Sequence, residues 1–369
     1  MIRLEATLGD NLLNIPFLRA VRRVFPTQAI HLVHHAASAP VYASCPYVDH
    51  RIVVTWPMRS AWTLARRLSL SARLFPAGFS GYAYALLPRW GEDLFAPFVA
   101  WSSGAPISIG FSRKVLYEKS VRMLGLDSLL TDAVVDRNVE HESVRPLKLL
   151  TRFSLMPADA GRMEFWVSPA ARAKVAAAIA GAKANDGTRW VTMAPGANLG
   201  RRKWPVESFA QVARMLLASP DVGLILVGSE NDRGDACHVA ASCKSSRLLN
   251  FAGNMELEAT AAAIATSACF IGNDSGLLHL ASAVGVAAVE ISCHPLGASP
   301  LHPNAPERFG PTAPGSVVLR PRRPLLPCCS KGCSIDEPHC ITSIEPEEAT
   351  QAAMCVLSSQ DAAKEPAAR

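Results

Sequence analysis

The stretch Cys269-Phe270-Ile271-Gly272-Asn273-Asp274-Ser275-Gly276-Leu277-Leu278-His279-Leu280-Ala281 decides how the later part of the chain folds. An apolar run ends abruptly in Asn-Asp-Ser-Gly, residue types that interrupt a strand and cap a helix. Small apolar residues then resume at helical spacing. The reading is a strand over 269–272, a tight turn, a helix over 276–284 and a further strand over 287–292. Upstream the same alternation is already running. A strand over 190–194 leads into a polar, glycine-containing loop at 195–202. A helix over 206–218, a very apolar strand over 222–228 and a helix over 257–266 follow. Strands that are apolar throughout, separated by helices, belong to a parallel sheet covered on both faces.

The chain begins with the same architecture. Residues 2–6 read as a short strand and Leu8-Gly9-Asp10 as a turn. Leu12, Leu13, Ile15, Phe17, Leu18, Val21 and Val24 then recur at helical spacing before a second strand over 29–33. The stretch 157–168 and an Ala-rich helix over 169–184 separate the two arrays. The expectation is an α/β protein of two Rossmann-like doubly wound parallel-sheet domains facing a cleft, over 1–165 and 166–357. A small, polar tail over 358–369 is expected to be disordered. No G-x-G-x-x-G follows the first strand and no G-x-x-x-x-G-K-[ST] occurs, which weighs against a nicotinamide dehydrogenase and a P-loop ATPase.

With 369 residues, 49% of them hydrophobic and 18% charged, both domains can bury a core. The long uncharged run at 94–112 is broken by Pro97, Gly104, Pro106 and Gly110, so it cannot be one spanning helix. Arg3, Glu5 and Asp10 leave no room for the apolar segment of a secretory signal, and the expected location is the cytoplasmic side. The formal net charge of +6 is concentrated before residue 150. Between Asp49 and Glu92 there is no acid, while Arg51, Arg59, Arg66, Arg67, Arg73 and Arg89 occur there. Such a field suits an anionic partner, and without a nucleic-acid motif it does not point to nucleic acid.

Four constellations can carry chemistry. Asp10, between Gly9 and Asn11 at a strand end, can accept a proton from a hydroxyl or simply cap the following helix. Gly196 and Ala197, followed by Arg201, Arg202 and Lys203, offer backbone N–H groups and cations to a diphosphate; the bland alternative is a solvated basic loop before Pro205. Asn273, Asp274, Ser275 and Gly276 open a helix whose N–H groups can hold an anion, with His279 in its first turns either functional or a satisfied core histidine. Cys328, Cys329, Cys333, His339 and Cys340 are candidates for a structural zinc site, although their spacing lacks the paired C-x-x-C form and also allows simple packing. Of the ten cysteines, Cys45, Cys237, Cys243, Cys269 and Cys355 read as isolated and reduced.

Taken together, Leu8-Gly9-Asp10 leading into Ile15-Pro16-Phe17-Leu18-Arg19-Ala20, Pro195-Gly196-Ala197 leading to Lys203-Trp204-Pro205, Leu226-Val227-Gly228, Phe251-Ala252-Gly253, and Gly272-Asn273-Asp274-Ser275-Gly276 with His279-Leu280-Ala281 resemble glycosyltransferase family 9, the ADP-heptose:lipopolysaccharide heptosyltransferases. The resemblance runs from residue 2 to about residue 357. It implies a GT-B fold with an acceptor domain first and a nucleotide-sugar domain second, and an inverting, metal-independent transfer with no cofactor beyond the ADP-heptose donor. By the same resemblance Asp10 is the general base. Gly196, Ala197, Arg202, Lys203, Glu230, Asn273, Asp274, Ser275, Gly276 and His279 serve the donor. Gly9, Asn11, Arg59, Arg66 and Arg67 are assigned to a phosphorylated glycolipid acceptor of the lipopolysaccharide-core kind, at the inner face of the inner membrane. The arginine assignment comes from the acid-free stretch rather than from a family motif.

The chain departs from the family pattern at Arg202, where the family usually has Lys, and at Ser292-Cys293-His294-Pro295, where Gly-Pro-Thr is common. A catalytically inactive GT-B scaffold is the competing expectation. It is disfavoured because Asp10, Asp274 and the cation loop are all retained.

Overall fold

The computed structural model describes residues 1–55, 75, 81–91, 93, 95–115, 119, 125–153, 161–182, 187–329, 331–333 and 335–364, with backbone alone for 361–364. The chain divides into two compact units, Met1–Arg162 and Met163–Arg369.

In the first unit, β1 (Ile2–Arg3) is followed by α1 (Leu8–Leu12), α2 (Ile15–Val24), β2 (His31–His35), α3 (Ala39–Tyr42) and β3 (His50–Val54). Then come β4 (Tyr84–Leu87), α4 (Ala96–Ser102), β5 (Ile107–Phe111) and β6 (Asp132–Val134). The strands form two parallel ladders, β1-β2-β3 and β4-β5-β6. β4 lies beside β1, and one apolar cluster holds Ile2, Leu4 and Val33 together with Ala85, Leu87 and Val99. The lateral order is therefore 3-2-1-4-5-6, with a seam between β1 and β4.

The expected turn at Leu8-Gly9-Asp10 is a short helix, α1. Extended Thr7 precedes it, and its hydroxyl donates to the Asp10 carboxylate, so Asp10 lies inside the helix and does not cap it. The chain then bends at Leu13-Asn14 because Pro16, in the first turn of α2, has no N–H with which to continue the ladder.

In the second unit, α5 (Pro169–Ala180) precedes β7 (Arg189–Ala194), α6 (Val206–Leu217), β8 (Val222–Leu226), α7 (Arg233–Cys243) and β9 (Leu248–Asn250). The series continues with α8 (Leu257–Ala265), β10 (Cys269–Asn273), α9 (Gly276–Ala283), β11 (Ala288–Ile291), α10 (Pro306–Phe309), β12 (Val317–Leu319) and α11 (Pro346–Lys364). All pairings are parallel, in the order β12-β11-β10-β7-β8-β9. Counted within the unit this is again 3-2-1-4-5-6, read from the other edge. Val191, Met193, Leu224, Leu226, Ile271, Val289 and Ile291 pack with residues of α6, α7 and α11. Their alternating partners Trp190, Thr192, Ile225 and Phe270 are also buried and must face the other way. α5 and α9 pack with α8 as a second helical group.

Helix α11 continues to Lys364, so residues 358–364, expected in the disordered tail, are helical. Pro205 immediately precedes α6. Among the described residues no helix is long and apolar enough to cross a membrane.

Candidate functional site

In an open parallel sheet of this order, ligands bind at the carboxyl ends of the strands, where the winding reverses. In the second unit that point lies between β7 and β10, and the sequence places its polar glycine loops there. Asn273 ends β10, fully buried. Its amide donates to Pro195 O at 2.9 Å and to Gly196 O at 3.2 Å, and its oxygen accepts Trp204 N at 3.1 Å. One side chain thus ties both ends of the 195–204 loop to the strand. Trp204 anchors the loop from beneath, fully buried, edge-on to Phe209 and donating to Ile344 O at 3.1 Å. An aromatic of that kind buries roughly 150–250 Å².

Gly196 is required by close approach, since a Cβ there would stand 2.0 Å from the Asp232 carboxylate. That carboxylate is held by Ser229, whose N–H donates to it at 2.8 Å and whose hydroxyl donates at 2.7 Å. Ala197 is half-buried at the mouth of the loop.

The two adjacent cations separate in role. Arg202 Nη1 meets Asp274 Oδ2 at 3.1 Å, with side-chain exposures of 21% and 4%. The remainder of the guanidinium fork donates to Asn304 Oδ1 at 3.0 and 2.7 Å and to Pro303 O at 3.1 Å. Lys203 Nζ instead turns to Asp235 on α7, at 2.5 Å. Ser275 is extended and immediately precedes α9. Its buried hydroxyl has no hydrogen-bond partner among the described residues, while the half-buried Gly276 opens the helix. His279 is buried on α9. Glu230, exposed in the turn after β8, pairs with Arg233 at 3.3 Å. Gly253, at φ +76°, presses against it: a Cβ there would lie 2.6 Å from the Glu230 carboxylate.

Sequence reasoning missed Glu290. It lies on β11 in register with Gly272, is 1% exposed, and stands at the same switch point. Burial, and after it the Asp274 charge, hold its carboxyl well above the usual range, although Ser292 and Arg202 pull the other way. Asp274 and Glu290 thus form an acid pair beside the Arg202 guanidinium, with Arg320 also acting on Glu290. The available signal was an acidic residue inside the otherwise apolar run 287–291.

A carboxyl whose folded-state pKa is raised stabilises the fold below its ordinary value, near 4.5, and loses that contribution as pH rises through the folded value. Glu290→Gln therefore gains on the wild type above that pH, by up to about 1.4 kcal/mol per unit until the folded pKa is reached. Urea unfolding of the two proteins from about pH 5 to about pH 7 measures the difference, and parallel curves would refute the neutral acid.

In the first unit, Asp10 sits at the corresponding end of β1, beside the seam with β4. Its side chain is 33% exposed and 3.6 Å from Arg3 Nη2, which also donates to Asp10 O at 2.9 Å. Arg3 Nε pairs with Glu5 at 2.9 Å, and Glu5 pairs in turn with Arg89, at the end of β4. Asn11 is fully buried and donates to Glu5 O and Thr7 O, while Tyr42 donates to its oxygen at 2.8 Å. Gly9 is likewise buried. These two shape the turn that presents Asp10. Arg59, Arg66, Arg67 and Arg73 lie outside the described residues. A cavity of about 730 Å³ lined by Thr188, Asp221 and Thr266 opens at the amino ends of β7 and β10, the end away from Asp274.

Of the cysteine candidates, the structure brings Cys328, Cys333, His339 and Cys340 together and leaves Cys329 exposed.

The two sheet orders and the polar strand ends define a protein with a GT-B fold, and comparison with solved structures agrees. A glycosyltransferase family 9 structure from Veillonella parvula aligns with a TM-score of 0.75 at 19% identity, covering 97% of this chain and 96% of the other. The E. coli ADP-heptose lps heptosyltransferase II aligns with a TM-score of 0.68 at 18% identity, covering 98% and 99%. Residues 94–337 match the model of Glycosyltransferase family 9 (heptosyltransferase), and the chain belongs to that family. Lipopolysaccharide heptosyltransferase 2 of Salmonella typhimurium is 32% identical over 94 residues, which are 24% of this chain and 27% of that relative. The chain thus spans about a quarter of the length of this curated relative.

Proposed function

We propose that the protein is an inverting glycosyltransferase that moves a heptose from ADP-heptose onto a phosphorylated glycolipid acceptor of the lipopolysaccharide-core kind. The observation that carries this reading is the group at the end of β10: the Arg202–Asp274 pair, the glycine loop at 195–197 and the start of α9 converge at one switch point. The names of the family and of the aligned heptosyltransferase II support the donor.

The acceptor oxygen attacks the anomeric carbon, the bond from that carbon to the ADP phosphate breaks, and Asp10 takes the hydroxyl proton. The electron pair leaves with ADP. Arg202, together with the N–H groups of Gly196, Ala197 and Gly276, stabilises the charge that grows on the diphosphate, so no metal is placed in the reaction. Asp274 fixes the Arg202 fork and faces the donor sugar with Ser275 and His279. Asn273 holds the loop. Lys203, tied to Asp235, adds to the positive field, and Glu230 is placed for the ribose hydroxyls.

Gly9 and Asn11 shape the acceptor end around Asp10. Arg59, Arg66 and Arg67 are assigned to acceptor phosphates at the inner face of the membrane, with peripheral contact there. An inactive GT-B scaffold is the competing reading, and the presence together of a partly exposed Asp10, of Asp274 and of the cation loop argues against it.

Thermal unfolding with ADP, UDP, GDP or CMP tests the donor assignment. At a hundredfold the dissociation constant a ligand adds about 2.7 kcal/mol, a shift of several degrees. Selective stabilisation by ADP is expected. Preference for UDP or GDP would discard heptose, and no response to any of the four would favour the scaffold.

A further inference from the structure

The cysteine-histidine group lies outside the proposed chemistry, and its geometry is that of a coordination shell. Cys328, Cys333 and Cys340 are 3%, 1% and 0% exposed, and all three belong to the apolar core of the second unit. Their sulfurs and one nitrogen of His339 lie within 4.8 Å of one another. Cys328 Sγ is 3.5 Å and Cys340 Sγ 3.4 Å from His339 Nδ1. A tetrahedral zinc ion, with bonds of about 2.3 Å to sulfur and about 2.05 Å to nitrogen, sets an S···N edge of about 3.5 Å and an S···S edge of about 3.8 Å.

The imidazole is oriented for ligation. His339 Nε2 is 2.8 Å from Leu326 O, and a carbonyl only accepts. Nε2 therefore carries the proton, and the Nδ1 lone pair is left on the side of the cysteine sulfurs, where a cation between them could take it. Leu325 N–H donates to Cys340 Sγ at 3.5 Å, the kind of contact that supports a thiolate. Gly332, at φ +123°, closes a backbone pairing with Cys329 and returns Cys333 to Cys328. That same turn leaves Cys329 facing solvent.

We propose that Cys328, Cys333, His339 and Cys340 form a structural zinc site. Four protein ligands close the tetrahedron and leave no position for substrate, so the role is architectural. The ion holds residues 325–344 against the cation loop. A Cβ on Gly200 would stand 2.0 Å from Asp336 O, Arg201 pairs with Asp336 at 3.4 Å, and Ile344 O receives the Trp204 indole. The clamp thereby sets the wall from which Arg202 reaches Asp274. The site is independent of the transfer reaction and is tested without it.

The full chain, purified under reducing conditions without chelator, is expected to carry about one zinc per chain by mass spectrometry of the metal. Exchange with Co²⁺ is expected to give the visible bands of a tetrahedral ion and thiolate-to-cobalt charge transfer. Cys340→Ser and His339→Ala lose the metal, whereas Cys329→Ser keeps it. Because the first two variants can fail to fold, the cobalt spectrum of the wild type stands as a separate criterion. Chelation should lower the wild-type unfolding midpoint by several degrees. Wild-type protein that holds no metal as purified and gives no cobalt bands overturns the site. Loss of metal in Cys329→Ser overturns the ligand assignment, and iron in place of zinc overturns the ion.

Discussion

Asp10→Asn is expected to lower the transfer rate by about a hundred- to ten-thousand-fold while ADP stabilises the variant as it does the wild type. Asparagine keeps the size of the side chain and can still accept from Thr7, so α1 should stay intact. What it loses is the ability to take a proton. The carboxylate is suited to that task by its partial exposure and by Arg3, which donates to Asp10 O and holds the residue in place. Single-turnover transfer to a deacylated, phosphorylated core oligosaccharide, read beside the thermal shift, separates the two effects. A variant retaining a tenth or more of the wild-type rate would remove Asp10 from the role of base. Loss of the ADP response would show that the substitution disturbs more than proton transfer.

The second large effect is expected at Arg202. Arg202→Met leaves the buried Asp274 carboxylate beside Glu290 with its cation removed, and orphans Asn304 Oδ1. Breaking a buried pair in this way costs about 3–5 kcal/mol at neutral pH. Asp274→Asn in the same chain removes the stranded charge, so the double variant should recover most of that loss. The double-mutant cycle assigns the difference to the pair. Arg202→Lys keeps the charge but cannot span Asp274 and Asn304 together, and falls between the two. The ADP-dependent shift disappears in Arg202→Met. A cost below about 1 kcal/mol would mean that Asp274 does not depend on Arg202 for its compensation.

The second unit was the more legible in sequence because its central strands are buried on both faces. Residues 222–228 and 269–272 read as uninterrupted apolar runs, and polar, glycine-containing turns follow them. The strands β3, β4, β5, β6, β9 and β12 have no counterpart in the sequence reading; β3 and β6 are mostly exposed or half-buried, so neither alternation nor a continuous run marks them, whereas β4 and β5 are short but mostly buried. The helix α7, carrying Gly234 and Ser242 and burying little beyond Ala236 and Val239, shows no apolar stripe.

At the site, Asp274 and Arg202 were legible as types suited to a turn and a phosphate loop. Their pairing was not, because it depends on Asn304 and Pro303, distant in sequence, holding the guanidinium fork. Nor did spacing reveal that Cys329 is turned away while its neighbours converge. The reversal at Gly332 decides that, and a glycine in a cysteine-rich loop is ambiguous until its backbone angle is known.

The chain passes once from the first unit to the second, at residues 162–163. On the proposed assignment the gene is therefore two consecutive blocks, one for the acceptor and one for the donor, with a single joint. One recombination event at that joint would exchange a recognition half and leave the clusters around Val191 and around Ile2 each within its own parent. Lineages can thus reassort what is glycosylated and what is transferred by crossing over, without rebuilding either half residue by residue.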